Sequence, residues 1–334
     1  MEFLTPEELT PEFFNGALDE SEPRHREILS LVDLEQHDGE KIEQKVIVQQ
    51  HDRQASIVGI VDRFPRVRGD KVETMLIDPF HIKNAKTFDE SDDELQLDGN
   101  GSPVLAAEAV PTSVSFLEKL RTNLVVNAIL SAITTKAFSY ASGDMKIQLD
   151  FSEQVQDLTG PQTGDWDDNA NCEPYVEQDA FINEFFDNTG QVPTRVLLSG
   201  KTASKIKQLD EVAATYQKQA PRDPDVETFE EFTFDNLMYR IMRKKRLDSS
   251  GSLVDAIPEG YGVVTVDTVD ETDGSPFLWH RAQTKRQTDT SRPLYRSWVD
   301  GSDEVAAISL GMQDNGIPGF AKRGIVMLYK FYTP

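Results

Sequence analysis

The sequence predicts an α+β protein, and three observations carry that reading. Runs such as KVIVQQ and QASIVGIV alternate or run apolar and are rich in β-branched residues, as strands are. One stretch, residues 112–141, holds a sustained helical apolar period. Helices and strands then interleave irregularly, without the steady βαβ rhythm of a doubly wound sheet and without an internal repeat.

The elements follow in order. Residues 1–40 are acidic and poorly periodic, with Phe3, Leu4, Phe13 and Phe14 set among Glu, Pro and Asp. That pattern predicts an arm docking by a few apolar anchors, without a core of its own. Residues 41–88 read as extended. RGDK marks a turn, with Gly69 supplying backbone freedom, and KVETMLI returns, so 60–82 are expected to form a long hairpin. Ten residues per strand reach about 33 Å, long for a hairpin that packs only on its own domain. Residues 89–110 contain DESDDE and LDGNGSP and read as a solvated linker.

The long helix is preceded by Pro111, has capping-box spacing at Ser115 and Glu118, and is expected to stop near Gly143. Leu117, Leu120 and Leu124 form one line, and Val125, Ala128, Ile129, Ala132 and Ile133 continue the apolar face. MKIQLDF (145–151) is a strand and 152–174 a polar loop. A helix is expected over 174–188, with Phe181, Ile182, Phe185 and Phe186 on one side. TRVLLS (194–199), YGVVTVDTV (261–269), EVAAISL (304–310) and GIVMLYKFY (324–332) read as strands, and KTASKIKQLDEVAATYQK as a further helix.

The totals exclude several classes of function. A chain of 334 residues predicts about two domains and can bury roughly three quarters of its unfolded surface. Its 58 acids against 34 bases leave a net charge of −24. General nucleic-acid binding and adhesion to anionic membranes both need the opposite sign. The single cysteine, Cys172, permits no intrachain disulfide. No apolar run reaches the roughly 18 residues of a membrane span. MEFLTPEELTPEFF lacks the basic start and apolar stretch of a secretory signal, so a soluble cytoplasmic protein is expected.

Against this acidity, RFPRVRGDK (63–71) gathers Arg63, Arg66, Arg68 and Lys71 around one acid, Asp70. A second basic cluster, MRKKRLDSS (242–250), reads as the cationic face of a turn or a contact to an acidic neighbour.

No catalytic or cofactor-binding constellation is found. His25, His37, His51, His81 and His280 make no zinc-ligand spacing with one another or with Cys172, and no metal site is expected. DWDDNANCE places Asp165, Asp167, Asn169, Asn171 and Glu173 at alternate positions, like the start of a calcium loop. Ala170 stands where that loop needs Gly, and Val176 where it needs Glu. GxSxG, P-loop and GxGxxG patterns are missing, and no histidine lies between His81 and His280 to activate Cys172. A flexible arm, an overreaching hairpin and one long helix instead read as a structural subunit whose projections lie on a neighbour.

Three stretches carry a resemblance: KVIVQQHDRQASIVGIVDRFPRVRGDKVETMLIDPFHIK, GDWDDNANCEPYVEQDAFINEFF and RPLYRSWVDGSDEVAAISLGMQDNGIPGFAKRGIVMLYK. In these, and in the order of elements, the chain resembles the lambda-like major capsid protein E family of tailed phages, which has the Hong Kong 97 capsid fold. The resemblance implies an N-arm over 1–40 and a P-domain over 41–59 and 85–151 with a spine helix at 112–141. It implies an extended E-loop over 60–84, an A-domain over 152–305, and C-terminal strands over 306–334 returning to the P-domain.

It further implies a non-enzymatic, self-assembling protein of the virion, built in the host cytoplasm as hexamers and pentamers of an icosahedral head. The implied partners are a scaffolding protein, a portal, a decoration protein and packaged double-stranded DNA bound without sequence preference. Arg63, Arg66, Arg68 and Lys71 would then contact an adjacent acidic subunit, where Arg can bond carboxylates bidentately. The plainer reading is that these cations keep an exposed hairpin soluble. Rival functions are an encapsulin-type nanocompartment shell, an acidic metal-dependent hydrolase built on residues 165–173, and a tail or adhesion subunit.

Overall fold

The computed structural model describes residues 3–9, 14, 32–38, 41–49, 71–77, 79–89, 91–99, 101–142, 145–215, 217–218, 230–243, 245–247, 252–269, 274–283, 292–302 and 305–334. Two sheets and one long helix organise them.

The helix, α1, spans Ala109–Thr135. Its 27 residues extend about 40 Å. It starts before Pro111, because a proline in the first turn lacks only an N–H that would have no intrahelical partner. It ends at Lys136, whose left-handed φ of 54° closes the helix. The expected helix over 112–141 is therefore corrected at both ends. Ala137–Ser142 instead pairs antiparallel with Met145–Asp150, and Phe138 is buried against Phe80. The Ser115–Glu118 capping box is not formed, since both residues lie inside the helix. Val110, Val114, Leu117, Val125, Ala128, Ile129, Ala132 and Ile133 make its buried face.

That face lies on a five-stranded sheet built around Val305–Phe320. Leu294–Ser302, Phe277–Ala282 and Phe80–Phe88 all pair antiparallel with this strand, and Val32–His37 joins Phe277–Ala282 in parallel at the edge. The strand expected over 304–310 thus runs ten residues further. Its polar stretch Gln313–Gly316 stays in the sheet because its buried side chains Asp314 and Asn315 find partners. His81 Nδ1 donates to Asn315 Oδ1 at 2.9 Å, and Asn315 Nδ2 donates to the Gln283 carbonyl at 3.2 Å.

The second sheet has seven strands, in the order Val155–Asp157, Val326–Lys330, Tyr261–Thr265, Arg195–Ser199, Leu237–Met242, Glu230–Phe234 and Gln217–Lys218. Around it lie α2 (Pro174–Thr189), α3 (Gly200–Ile206) and α4 (Asp210–Thr215). Val326–Lys330 belongs here, paired with Val155–Asp157 and Tyr261–Thr265, so residues 306–334 divide between the two sheets instead of returning together.

The arm does carry anchors. Phe3–Leu4 pairs with Pro103–Ala106, and Leu9 and Phe14 are buried, Phe14 against the Tyr295 ring at 6.0 Å. Phe13 lies outside the described residues. The expected linker 89–110 holds its own antiparallel pair, Leu95–Leu97 with Pro103–Ala106. Asp98 accepts the Ser102 amide at 2.8 Å and Gly101 takes a φ of 81°, which closes that turn.

Candidate functional site

Of the predicted contact residues, Arg63, Arg66 and Arg68 lie outside the described residues. Lys71 opens the strand Lys71–Ile77, which pairs antiparallel with Ile42–Gln49, Lys71 opposite Gln49. The strand KVETMLI therefore pairs with residues 42–49; the outgoing strand and tip of the hairpin expected over 60–82 lie outside the described residues. Among the described residues these two strands form a sheet of their own, separate from both large sheets, and Ile42 at its base is fully buried in the core. The 63–71 stretch thus leads into a two-stranded ribbon rooted on the five-stranded sheet side. Residues 80–84, expected in the same loop, belong instead to the strand Phe80–Phe88.

The acidic loop 165–173 is tied down by its own side chains. Asp165 accepts the Thr333 amide at 3.1 Å, and Asn169 Oδ1 accepts the Asp210 amide at 2.8 Å. Asp168 accepts from Asn171 Nδ2 at 2.5 Å and from the Ala170 amide at 3.0 Å, and these bonds hold its carboxyl below the usual range. Trp166 is buried edge-on against Phe331. Burial, with Glu177, Glu211, Asp168 and Asp165 nearby, pushes the Cys172 thiol up to about 12, so it is protonated at neutral pH.

Buried charges join α1 to the five-stranded sheet. Arg121 pairs with Glu118 one turn earlier and reaches Asp314 Oδ2 at 3.1 Å. Arg281 Nη2 donates to the same oxygen at 3.1 Å, and Tyr295 donates to Glu118 at 3.1 Å. Burial opposes the Arg121 charge, but the Glu118 hydrogen bonds and the Glu118 and Asp314 charges outweigh it and raise its pKa.

Among the described residues, one cluster of three metal-ligating side chains occurs, and sequence reasoning missed it. Glu35, His37 and His280 bring one donor atom each within 4.8 Å of one another. Glu35 and His37 sit two apart on one strand, and His280 lies opposite Glu35 on the next. The Glu-x-His spacing was the one available signal; its third member lies 243 residues away.

No protein-family model matches the sequence, and no curated protein matches it. Solved structures do. A prophage protein from E. coli CFT073, described as its capsid protein, superposes with a TM-score of 0.62 at 12% identity, covering 99% of this chain and 100% of that one. A phage-related protein from Bordetella bronchiseptica RB50 gives 0.53 at 13% identity, over 99% and 98% of the two chains. The capsid of an empty GTA particle gives 0.50 at 10% identity, over 92% and 89%. The class defined by these likenesses is one of fold. The chain has the α+β Hong Kong 97-like capsid fold across nearly its whole length.

Proposed function

We propose that this chain is the major capsid protein of a tailed double-stranded DNA phage, a structural subunit and not an enzyme. It assembles into hexamers and pentamers of an icosahedral head that encloses the genome. The observation that supports this most is the end-to-end likeness to a protein described as a prophage capsid protein, with no large insertion left over in either chain. In this reading α1 and the five-stranded sheet make the P-domain, and the seven-stranded sheet makes the A-domain. The ribbon of Ile42–Gln49 and Lys71–Ile77, with the residues between, is the E-loop.

Self-association is the function such a subunit needs, and its charge sets the conditions. Copies at −24 repel, and salt at 0.1 M screens that repulsion beyond about 10 Å. The cations Arg63, Arg66, Arg68 and Lys71 supply local attraction to an acidic neighbour. Each exposed pair adds only about 0–1 kcal/mol, weak enough for misplaced subunits to leave. An acidic inner wall keeps packed DNA from sticking. Scaffolding protein, portal and a decoration protein are the expected partners, in a head assembled in the host cytoplasm.

The test is expression with and without a scaffolding protein, followed by negative-stain electron microscopy across a salt series. Closed shells, or rings of five and six, are expected. A compact monomer under every condition would overturn the reading.

A further inference from the structure

We propose that Glu35, His37 and His280 form a zinc-class metal site that fastens the edge strand Val32–His37 to Phe277–Ala282. The inference goes beyond the shell reading and does not depend on it.

The strand pairing builds the site. In the parallel register His280 lies opposite Glu35, and Ala282 opposite His37. Alternate residues of a strand share a face, so Glu35 and His37 point to the side on which His280 stands. His280 Nδ1 is 3.1 Å from His37 Nε2 and 3.0 Å from Glu35 Oε2. A tetrahedral zinc ion with bonds of about 2.0–2.1 Å separates its ligand atoms by about 3.3 Å, so both contacts of His280 Nδ1 already have nearly that spacing, and all three atoms lie within 4.8 Å of one another.

Hydrogen bonding alone serves the cluster poorly. An imidazole nitrogen has one in-plane position, a proton or a lone pair. If His280 Nδ1 donates to Glu35, it has no lone pair for His37. If it accepts from His37, its lone pair faces the Glu35 carboxylate. A divalent cation at the point of convergence accepts all three lone pairs at once.

His280 is 1% exposed, and the ring proton of its ligating tautomer, with the Nδ1 lone pair on the ion, stands on the buried Nε2. Glu35 is 47% exposed, so one side of the site stays open for ion entry and for a water as fourth ligand. Two imidazoles and one carboxylate suit Zn²⁺, and the nitrogen donors argue against Ca²⁺ and Mg²⁺. The ion would cross-link segments 243 residues apart, where, among the described residues, the edge strand pairs on one side only.

The test uses tag-free full-length protein, stripped with a chelator and titrated with ZnCl₂ in a calorimeter. Hydrogen exchange is then read with and without zinc. Binding of one zinc per chain is expected, unaffected by millimolar Mg²⁺, with slowed exchange of amides 32–38. His37→Gln, at the strand edge, is expected to weaken binding at least ten-fold and to abolish the added protection, with an unchanged circular dichroism spectrum. His280→Gln should do the same, but it lies in the core, so His37→Gln is the deciding variant. No saturable binding, binding unchanged in His37→Gln, or zinc that leaves amides 32–38 as they were, would overturn the proposal.

Discussion

Asp314 and Arg281 meet in the interior as an ion pair, with Asp314 1% exposed and Arg281 Nε 2.8 Å from Asp314 Oδ1. That approach is a charge contact whose N–H is not aimed at the oxygen; the aligned hydrogen bond runs from Nη2 to Oδ2 at 3.1 Å. The same carboxylate also receives Arg121 from α1, so one acid on the central strand serves a cation on a neighbouring strand and one on the helix. Buried charges of this kind are costly unless each is matched, and the arrangement fixes how α1 lies on the sheet.

Asp314→Asn removes the shared anion and leaves two buried guanidinium groups short of one negative charge. The expected loss is about 3–5 kcal/mol of stability, the usual consequence of breaking a buried pair from one side. Urea unfolding followed by fluorescence measures it. A loss below about 1 kcal/mol would show that the network is dispensable.

Gly260 takes a φ of 80°, and a Cβ there would overlap the Tyr332 carbonyl oxygen. Its own carbonyl accepts the Phe331 amide at 2.8 Å, so the turn cannot drift away. Gly260→Ala should cost about 1–3 kcal/mol. Gly99→Ala, with nothing within 4 Å, should stay within about 0.5 kcal/mol of wild type. Equal midpoints for the two variants would refute the contrast.

The raised pKa of Cys172 governs its reactivity. At pH 8 the thiolate fraction of a group near 12 is about three orders of magnitude below that of a free cysteine near 8.5. Alkylation by iodoacetamide should therefore be slow in the native protein and rapid in denaturant. Fast labelling of folded protein at pH 8 would contradict the buried, protonated thiol.

Glu230 accepts from Arg243 at 2.6 Å and faces Lys207 at 3.4 Å, and the Arg243 hydrogen bond leads the causes that lower its pKa. A carboxyl lowered in the folded state stabilises the protein above its unfolded pKa, and that contribution is lost as pH falls through the folded value. Glu230→Gln should thus shift the denaturation midpoint at pH 7, and the shift should shrink below about pH 4.5, the ordinary value. A difference that grows on acidification would reverse the sign argument.

Reversing Arg66 and Arg68 together to Glu is expected to block or slow assembly while the monomer keeps its circular dichroism spectrum. Sedimentation velocity and microscopy read the two effects separately. Normal shells from the double variant would leave the cations with the plainer role of keeping the hairpin soluble.

Much of the fold was legible in periodicity, and the failures have local causes. The apolar repeat from Val114 to Ile133 marked α1, but its ends depended on Pro111 being harmless in a first turn and on Phe138 finding a core position in a hairpin. The helix read over 201–218 is broken into α3 and α4. Ser199 caps the first, and Asn169, from a distant loop, accepts the Asp210 amide that opens the second. No local pattern announces a cap supplied from 41 residues away. The His280 cluster was hidden by the same kind of distance, since two of its members lie on an edge strand and the third near the other end of the chain. The acidic loop was legible as a loop. Within it Asp165, Asp168 and Asn169 each hold backbone or side-chain donors.

The strand Val305–Phe320 also has a consequence in time. Phe80–Phe88 and the buried face of α1 must wait for it, and Thr87 bonds Ser309 across 222 residues of sequence. At the usual 5–20 residues per second, a ribosome needs roughly ten to forty-five seconds to cover that separation. From the completion of α1 until the strand Val305–Phe320 is made, the apolar side of α1 lacks its sheet and is a natural client for chaperones. A nascent chain cut short before residue 305 never completes this layer. Truncated products would therefore be removed as unfolded polypeptide before they could compete with finished molecules.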